Sequence, residues 1–246
     1  MRYAVLSDIH ANYTALKTVL LDAEARECGR VVCLGDLVGY GNKHSECVQM
    51  VRKEAAVCVR GNFDDYVSTQ VDLSTFNPHA AEAVRQMRQA LTAEQAAWLD
   101  CLPYVKEFDG FTIVHATLNH PEKWGYVFDK LAAADSFSQQ TTQVCFFGHT
   151  HVPVAFAKGS TVSGGIYSKI KIESGKKYFI NPGSVGQPRD NNSKASYAIY
   201  DSTEQTVELR RLDYDGPDKS DGGDSFAGKP KPGPRTPFSG NYSQQN

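Results

Sequence analysis

Five apolar runs, each ending in side chains that can bind a metal, constrain this chain more than any other feature. Val5-Leu6-Ser7 leads into Asp8-Ile9-His10, and Arg30-Val31-Val32-Cys33-Leu34 into Gly35-Asp36. Ala56-Val57-Cys58-Val59 leads into Arg60-Gly61-Asn62, Phe111-Thr112-Ile113-Val114 into His115, and Val144-Cys145-Phe146-Phe147 into Gly148-His149-Thr150-His151. Short β-branched and aliphatic runs bounded by glycine and polar residues read as buried strands. Between the first two, residues 13–21 carry apolar side chains at helical spacing, which makes a β-α-β unit. Open α/β sheets place their ligands beyond the carboxyl ends of strands, so the donors are predicted to share one edge.

The remaining elements follow from local pattern. The first helix is predicted to end near Cys28-Gly29, and a second to cover residues 44–53. Residues 66–102 read as helices forming a cap beside the site or a packing layer, with Asn77-Pro78 as one helix start and Thr92-Ala93-Glu94-Gln95 as a capping box. Residues 103–114 form a hairpin about Asp109-Gly110, and a helix is expected over 127–137. Strands near 152–157, 166–172, 177–180, 196–200 and 206–211 make the second half strand-rich, which implies a second sheet packed on the first. After Asp213 the composition shifts to Gly, Pro, Ser, Asp and Lys. Residues 1–213 are therefore expected to form one domain, and 214–246 a disordered Gly/Pro-rich tail.

With 246 residues, 41% of them hydrophobic, the chain can bury one substantial core. A net charge of -2 argues against a nucleic-acid partner or an anionic membrane surface. No run approaches the roughly 18 apolar residues of a membrane span. Met1-Arg2-Tyr3-Ala4 leads into a strand rather than a signal peptide, so a cytoplasmic location is expected. Cys33, Cys58 and Cys145 sit inside apolar runs without paired spacing and read as reduced core residues, as do Cys28, Cys47 and Cys101.

The donor set is Asp8, His10, Asp36, Asn62, His115, His149 and His151. Imidazoles mixed with carboxylate and amide oxygens suit Mn, Fe, Zn or Ni better than Mg or Ca alone. The set is too large for one tetrahedral ion and suits two octahedral ions that share a carboxylate, the arrangement of a two-metal hydrolase. Residues i and i+2 of a strand face the same way, so His149 and His151 are expected to enter one cavity. His44, His79 and His120, in helical or loop context, read as ordinary polar residues.

In their order and wording, Asp8-Ile9-His10, Gly35-Asp36, Gly61-Asn62, His115 and Gly148-His149-Thr150-His151 resemble the blocks of the calcineurin-like metallophosphoesterases, over residues 1–211. Gly35-Asp36-Leu37-Val38-Gly39-Tyr40-Gly41 and Asn181-Pro182-Gly183-Ser184-Val185-Gly186-Gln187-Pro188-Arg189-Asp190 resemble the small prokaryotic phosphodiesterase-like branch, which includes archaeal phosphodiesterases and bacterial diadenosine tetraphosphate hydrolases. The resemblance implies a four-layer α-β-β-α sandwich of two mixed sheets. It also implies two divalent or trivalent transition-metal ions (Mn, Fe, Ni or Zn). Asp8, His10 and His151 would hold the first, Asn62, His115 and His149 the second, and Asp36 would bridge them, with a hydroxide between the ions attacking phosphorus in line. The family commonly has a histidine after the asparagine as proton donor to the leaving group, and here that residue is Phe63. Asp64 keeps the acidic position and is expected to steady the loop, with a catalytic role as leaving-group acid as the alternative. Arg189 and Asn12 are the candidate substrate contacts. The expected substrate is a small phosphodiester or phosphoanhydride, such as a dinucleoside polyphosphate. The competing expectation is a binding module on the same fold, like the retromer subunit that resembles this family. The complete ligand set favours the enzyme, whereas Phe63 and the tail favour the module.

Overall fold

The computed structural model describes residues 1–69 and 71–215. Of the expected tail, Tyr214 and Asp215 are described, and the rest lies outside the described residues. The order is β1 (Arg2–Leu6), α1 (Tyr13–Ala25), β2 (Arg30–Cys33), α2 (His44–Glu54), β3 (Ala55–Cys58), α3 (Asn62–Ser68), α4 (Pro78–Ala90), α5 (Ala93–Asp100), β4 (Val105–Phe108), β5 (Phe111–Val114), α6 (Lys130–Gln139), β6 (Val144–Phe146), β7 (Val154–Lys158), β8 (Val162–Gly165), β9 (Lys169–Lys171), β10 (Lys177–Asn181), β11 (Ala195–Asp201) and β12 (Thr206–Leu212).

The strands form two six-stranded sheets, in the orders β3-β2-β1-β11-β12-β9 and β4-β5-β6-β10-β7-β8. Both are mixed. β1, β2 and β3 run parallel while β11 is antiparallel to β1, and β5, β6 and β10 run parallel while β7 is antiparallel to β10.

Side-chain alternation turns these sheets into layers. Tyr3 and Val5 of β1 enter the core between the sheets with Ile113, Val144, Phe146 and Ile180. Their neighbours Ala4 and Leu6 point the other way, onto Leu16, Val19, Val48 and Val51 of α1 and α2. On the far side Val114, Cys145, Phe147 and Phe179 pack against Ala133 and Phe137 of α6. The result is the expected α-β-β-α sandwich.

Helix ends depart from expectation where single side chains decide them. α1 starts where the Asn12 side chain accepts from the Ala15 amide, and ends before Glu27, whose φ of 57° is left-handed. α6 starts at Lys130 rather than 127 because Asp129 caps it, accepting from the Leu131 and Ala132 amides at 2.9 Å. α5 has the expected capping box, with Thr92 and Gln95 bonded reciprocally. The exposed, glycine-ending strand β8 escaped the sequence pattern; it pairs with β7 at a sheet edge.

Residues 66–102 supply Val67, Val84, Met87, Leu99 and Leu102 to the core beside α1 and α2. Tyr66 and Phe76, whose rings meet edge-on at 5.2 Å, carry that layer toward Phe63. Among the described residues no helix is long and apolar enough to cross a membrane.

Candidate metal centre

The strands stop short of the donors, and the loops beyond them do the placing. After β1 and β2 the two loops bond to each other: the Asp8, His10 and Ala11 amides donate to the Gly35, Asp36 and Leu37 carbonyls at 2.9–3.1 Å. Asp8, His10, Asp36, His149 and His151 all have φ between 49° and 66°. The left-handed region costs an L-residue roughly 1–2 kcal/mol, and such conformations persist where surrounding contacts over-determine them. His149 and His151 therefore do not share a strand face, as the sequence suggested. β6 ends at Phe146, both histidines lie beyond it in left-handed backbone, and they enter different donor groups.

One group brings together Asp8, His10, Asp36 and His151, the other Asp36, His115 and His149, all of them buried. Asn62 joins the second, its Oδ1 lying 3.3 Å from His115 Nε2. Asp36 divides its oxygens between two tasks. Oδ1 accepts from the Phe63 amide at 2.8 Å, while Oδ2 lies 3.6 Å from His10 Nε2 and 3.5 Å from His115 Nε2. Gly61 faces this carboxylate so closely that any β-carbon there would collide with it.

Hydrogen bonds assign the tautomers. His10 Nδ1 faces the Val38 carbonyl at 3.1 Å, His151 Nδ1 the Gln187 carbonyl at 2.6 Å, and His115 Nδ1 the Leu34 carbonyl at 2.8 Å. A carbonyl only accepts, so each Nδ1 carries a hydrogen, and the Nε2 atoms of neutral His10 and His151 present lone pairs inward. Burial lowers His10 to about 4 and His149 to about 3, and holds His151 well below its ordinary value. His10 and His151 thus set two neutral Nε2 atoms 3.0 Å apart, lone pair against lone pair. Nε2 of His149 is buried with no hydrogen-bond partner among the described residues. A cation relieves both, so this donor set fits transition-metal ions.

The carboxylates diverge. Burial pushes Asp8 up to about 6. Burial acts on Asp36 too, but His115 and His10 hold it down at about 2, and Asp36 in turn raises His115 to about 9 against the effect of burial.

Two polar side chains beside the donors are held by other partners. Asp64 is fully buried behind the site, and its oxygens accept from the amides of Asp36, Leu37 and Gly61 at 2.8, 2.9 and 3.0 Å. Burial and the charge of Asp36 raise it to about 7, and its bonds to these amides agree with the expected role of steadying the loops that carry the donors. Asn12 is also fully engaged: Oδ1 caps α1, while Nδ2 donates to the Gly186 carbonyl and the Tyr214 hydroxyl, each at 3.1 Å.

Arg189 differs. Its amide donates to the His151 carbonyl at 3.3 Å, and its guanidinium lies 5.7 Å from the Tyr40 ring centroid, donating to the Tyr40 hydroxyl at 3.1 Å and to Gln187 Oε1 at 2.9 Å. Its charge is felt at Asp8, His10, His149 and Tyr126, and its Nε has no partner among the described residues. It lies beside the donor groups with hydrogen-bonding capacity to spare.

Four contributors escaped the sequence. Asn181 Nδ2 donates to the Gly148 carbonyl at 2.7 Å, and Ser184 Oγ donates to the Asp8 carbonyl at 2.7 Å. Tyr40 and Tyr126 wall the opening, Tyr40 4.8 Å from His10 and Tyr126 stacked at 4.2 Å on His149. The Asn-Pro-Gly-Ser run was the available signal for the first two. The tyrosines gave none.

Known proteins share this frame. The calcineurin-like phosphoesterase superfamily domain matches residues 1–205. An uncharacterised protein of Methanocaldococcus jannaschii, MJ0912, is 38% identical over 219 residues, covering 86% of this chain and 87% of that protein. The crystal structure of a metallophosphoesterase from Sphaerobacter thermophilus superposes with a TM-score of 0.77 at 38% identity, covering 87% of this chain and 89% of that one. The hypothetical protein PH1004 of Pyrococcus horikoshii shares the fold at 18% identity, with a TM-score of 0.66 over 87% of this chain and 88% of its own. With its sandwich, its buried His/Asp cluster and these matches, the chain belongs to the calcineurin-like phosphoesterase superfamily.

Proposed function

We propose that this protein hydrolyses small phosphodiesters or phosphoanhydrides, with transition-metal ions held by Asp8, His10 and His151, by Asn62, His115 and His149, and by Asp36 between them. One observation carries this reading: Asp36 Oδ2 sits between His10 Nε2 and His115 Nε2, at 3.6 and 3.5 Å, while Oδ1 is tied to backbone. A carboxylate divided in this way suits a shared ligand. Bound there, Mn, Fe, Ni or Zn would lower the pKa of water toward neutrality and offset charge on the phosphoryl oxygens.

The chain's own residues do the rest. The Val38, Gln187 and Leu34 carbonyls hold three imidazoles in the tautomer that offers Nε2. Arg189 is placed to bind a non-bridging phosphoryl oxygen through charge-assisted hydrogen bonds. Phe63, where the family's proton donor commonly stands, packs edge-on against His10 at 5.2 Å and has no proton to give. Leaving groups must then depart as stable anions, which favours aryl esters and anhydrides over alkyl esters.

The test is metal analysis of the purified protein, followed by assays on phosphodiesters, phosphomonoesters and dinucleoside polyphosphates with and without chelator. About two transition-metal ions per chain and chelator-sensitive hydrolysis of a diester or anhydride are expected. Metal-loaded protein that hydrolyses none of them would instead support the binding module.

A further inference from the structure

We infer that Tyr126 and Phe128 form a stacking ledge for the nucleobase of a nucleoside phosphate, beside the donor groups. Tyr126 is 46% exposed and Phe128 65% exposed, while Val127 between them is buried against Phe137 and Phe147. Val127 anchors the segment to the core and turns both neighbours outward. Their rings lie within 5° of parallel at 5.4 Å, and Tyr126 continues the stack onto the His149 imidazole at 4.2 Å. The His-Tyr-Phe stack begins on a metal-ligand candidate and ends in solvent, ahead of α6, which starts only at Lys130.

The adjoining charge identifies the occupant. Arg189 donates to the Tyr40 hydroxyl and its amide bonds to the His151 carbonyl, while its charge is felt at Tyr126, which puts a guanidinium toward the inner end of the ledge. A ligand that satisfies both features is a flat ring joined to a phosphate. Aromatic side chains bind bases through their π-faces and tolerate any base, so the ledge confers preference for nucleotides over sugar phosphates without selecting among bases.

This inference rests on the phosphoesterase reading, and equilibrium binding separates the two. Isothermal titration of metal-loaded protein with adenosine 5′-monophosphate and with ribose 5-phosphate compares ligands that share the phosphate and differ by the base. The parent should bind the nucleotide about tenfold more tightly. Phe128→Ala, which touches no metal-ligand candidate, should remove most of that preference. Tyr126→Phe should retain it, and so should Leu131→Ala, which alters a side chain that is 82% exposed just beyond the ledge. If both ligands bind equally to the parent, or Phe128→Ala keeps the preference, the ledge is overturned while the phosphoesterase reading stands. If neither ligand binds, both fall. A dimer that Phe128→Ala dissociates without altering nucleotide preference would assign these rings to a second copy of the chain and overturn the proposal.

Discussion

The floor and the mouth of the site are built on opposite principles. On the floor Asp8, His10, Asp36, His149 and His151 are buried, with backbones held in the left-handed region and side chains aimed by main-chain carbonyls and amides. At the mouth Tyr40, Tyr126 and Phe128 are exposed, and Arg189 is held mainly by side chains. A floor fixed by backbone cannot vary without refolding its loops, whereas a mouth fixed by side chains can. On the proposed reading the floor would set the reaction, and the mouth what is brought to it.

The largest test of this division is Asp36→Asn, which keeps shape but removes the shared charge. kcat/KM should fall by at least about 10³, with cooperative melting retained in thermal denaturation. Hydrolysis at the parent rate would remove the distinction between floor and mouth.

Next is Phe63, at the boundary. Rates for a series of diesters should fall steeply as leaving-group pKa rises, and Phe63→His should raise the slow end by about 10². A flat parent series, with chemistry rate-limiting, would mean that another group delivers the proton.

Arg189→Met probes the mouth alone. kcat/KM should drop about 10- to 100-fold, the worth of a hydrogen bond to a charged group, while metal content by mass spectrometry is unchanged. Loss of metal would move Arg189 to the floor.

The smallest effect concerns the floor stripped of metal. Folding holds His149 at about 3, below its ordinary 6.5. As pH falls the unfolded chain takes the proton first, so stability present above 6.5 is lost progressively toward 3. In chelator, His149→Asn should lose about 2 kcal/mol less than the parent between pH 7 and 5, measured by urea denaturation. Equal losses would show that His149 is not held neutral.

The same contrast explains what could be read from sequence. Asp8, His10, Asp36, Asn62, His115, His149 and His151 were legible because each follows an apolar run, and the layers because Tyr3-Ala4-Val5-Leu6 alternates between two cores. The left-handed turns were hidden, since sequence pattern assigns His149 and His151 to a strand that ends at Phe146. For Asp64 and Asn12 the sequence left the partners open: a polar side chain beside a motif looks available, and only the structure shows amides donating to its oxygens. Phe128 was hidden because it reads as part of the first turn of a helix over 127–137 until Asp129 is seen to cap α6, and Tyr126, just before that helix, carried no signal.

The binding of the Asp8 loop by residues 184–186 has a consequence for synthesis. The Val185 and Gly186 amides donate to the Ser7 and Asp8 carbonyls at 2.9 and 3.0 Å, and the His149 amide donates to the Asp8 carboxylate at 3.1 Å. The first candidate donors to leave the ribosome are thus among the last to be fixed in place. At about 5–20 residues per second, Asp8 and His10 wait on the order of ten seconds for these partners. A nascent chain stalled before residue 149 carries strands β1 to β6, helices α1 to α6 and five of the seven candidate donors but no enclosed site, so any metal capture would be a late event in the life of the polypeptide.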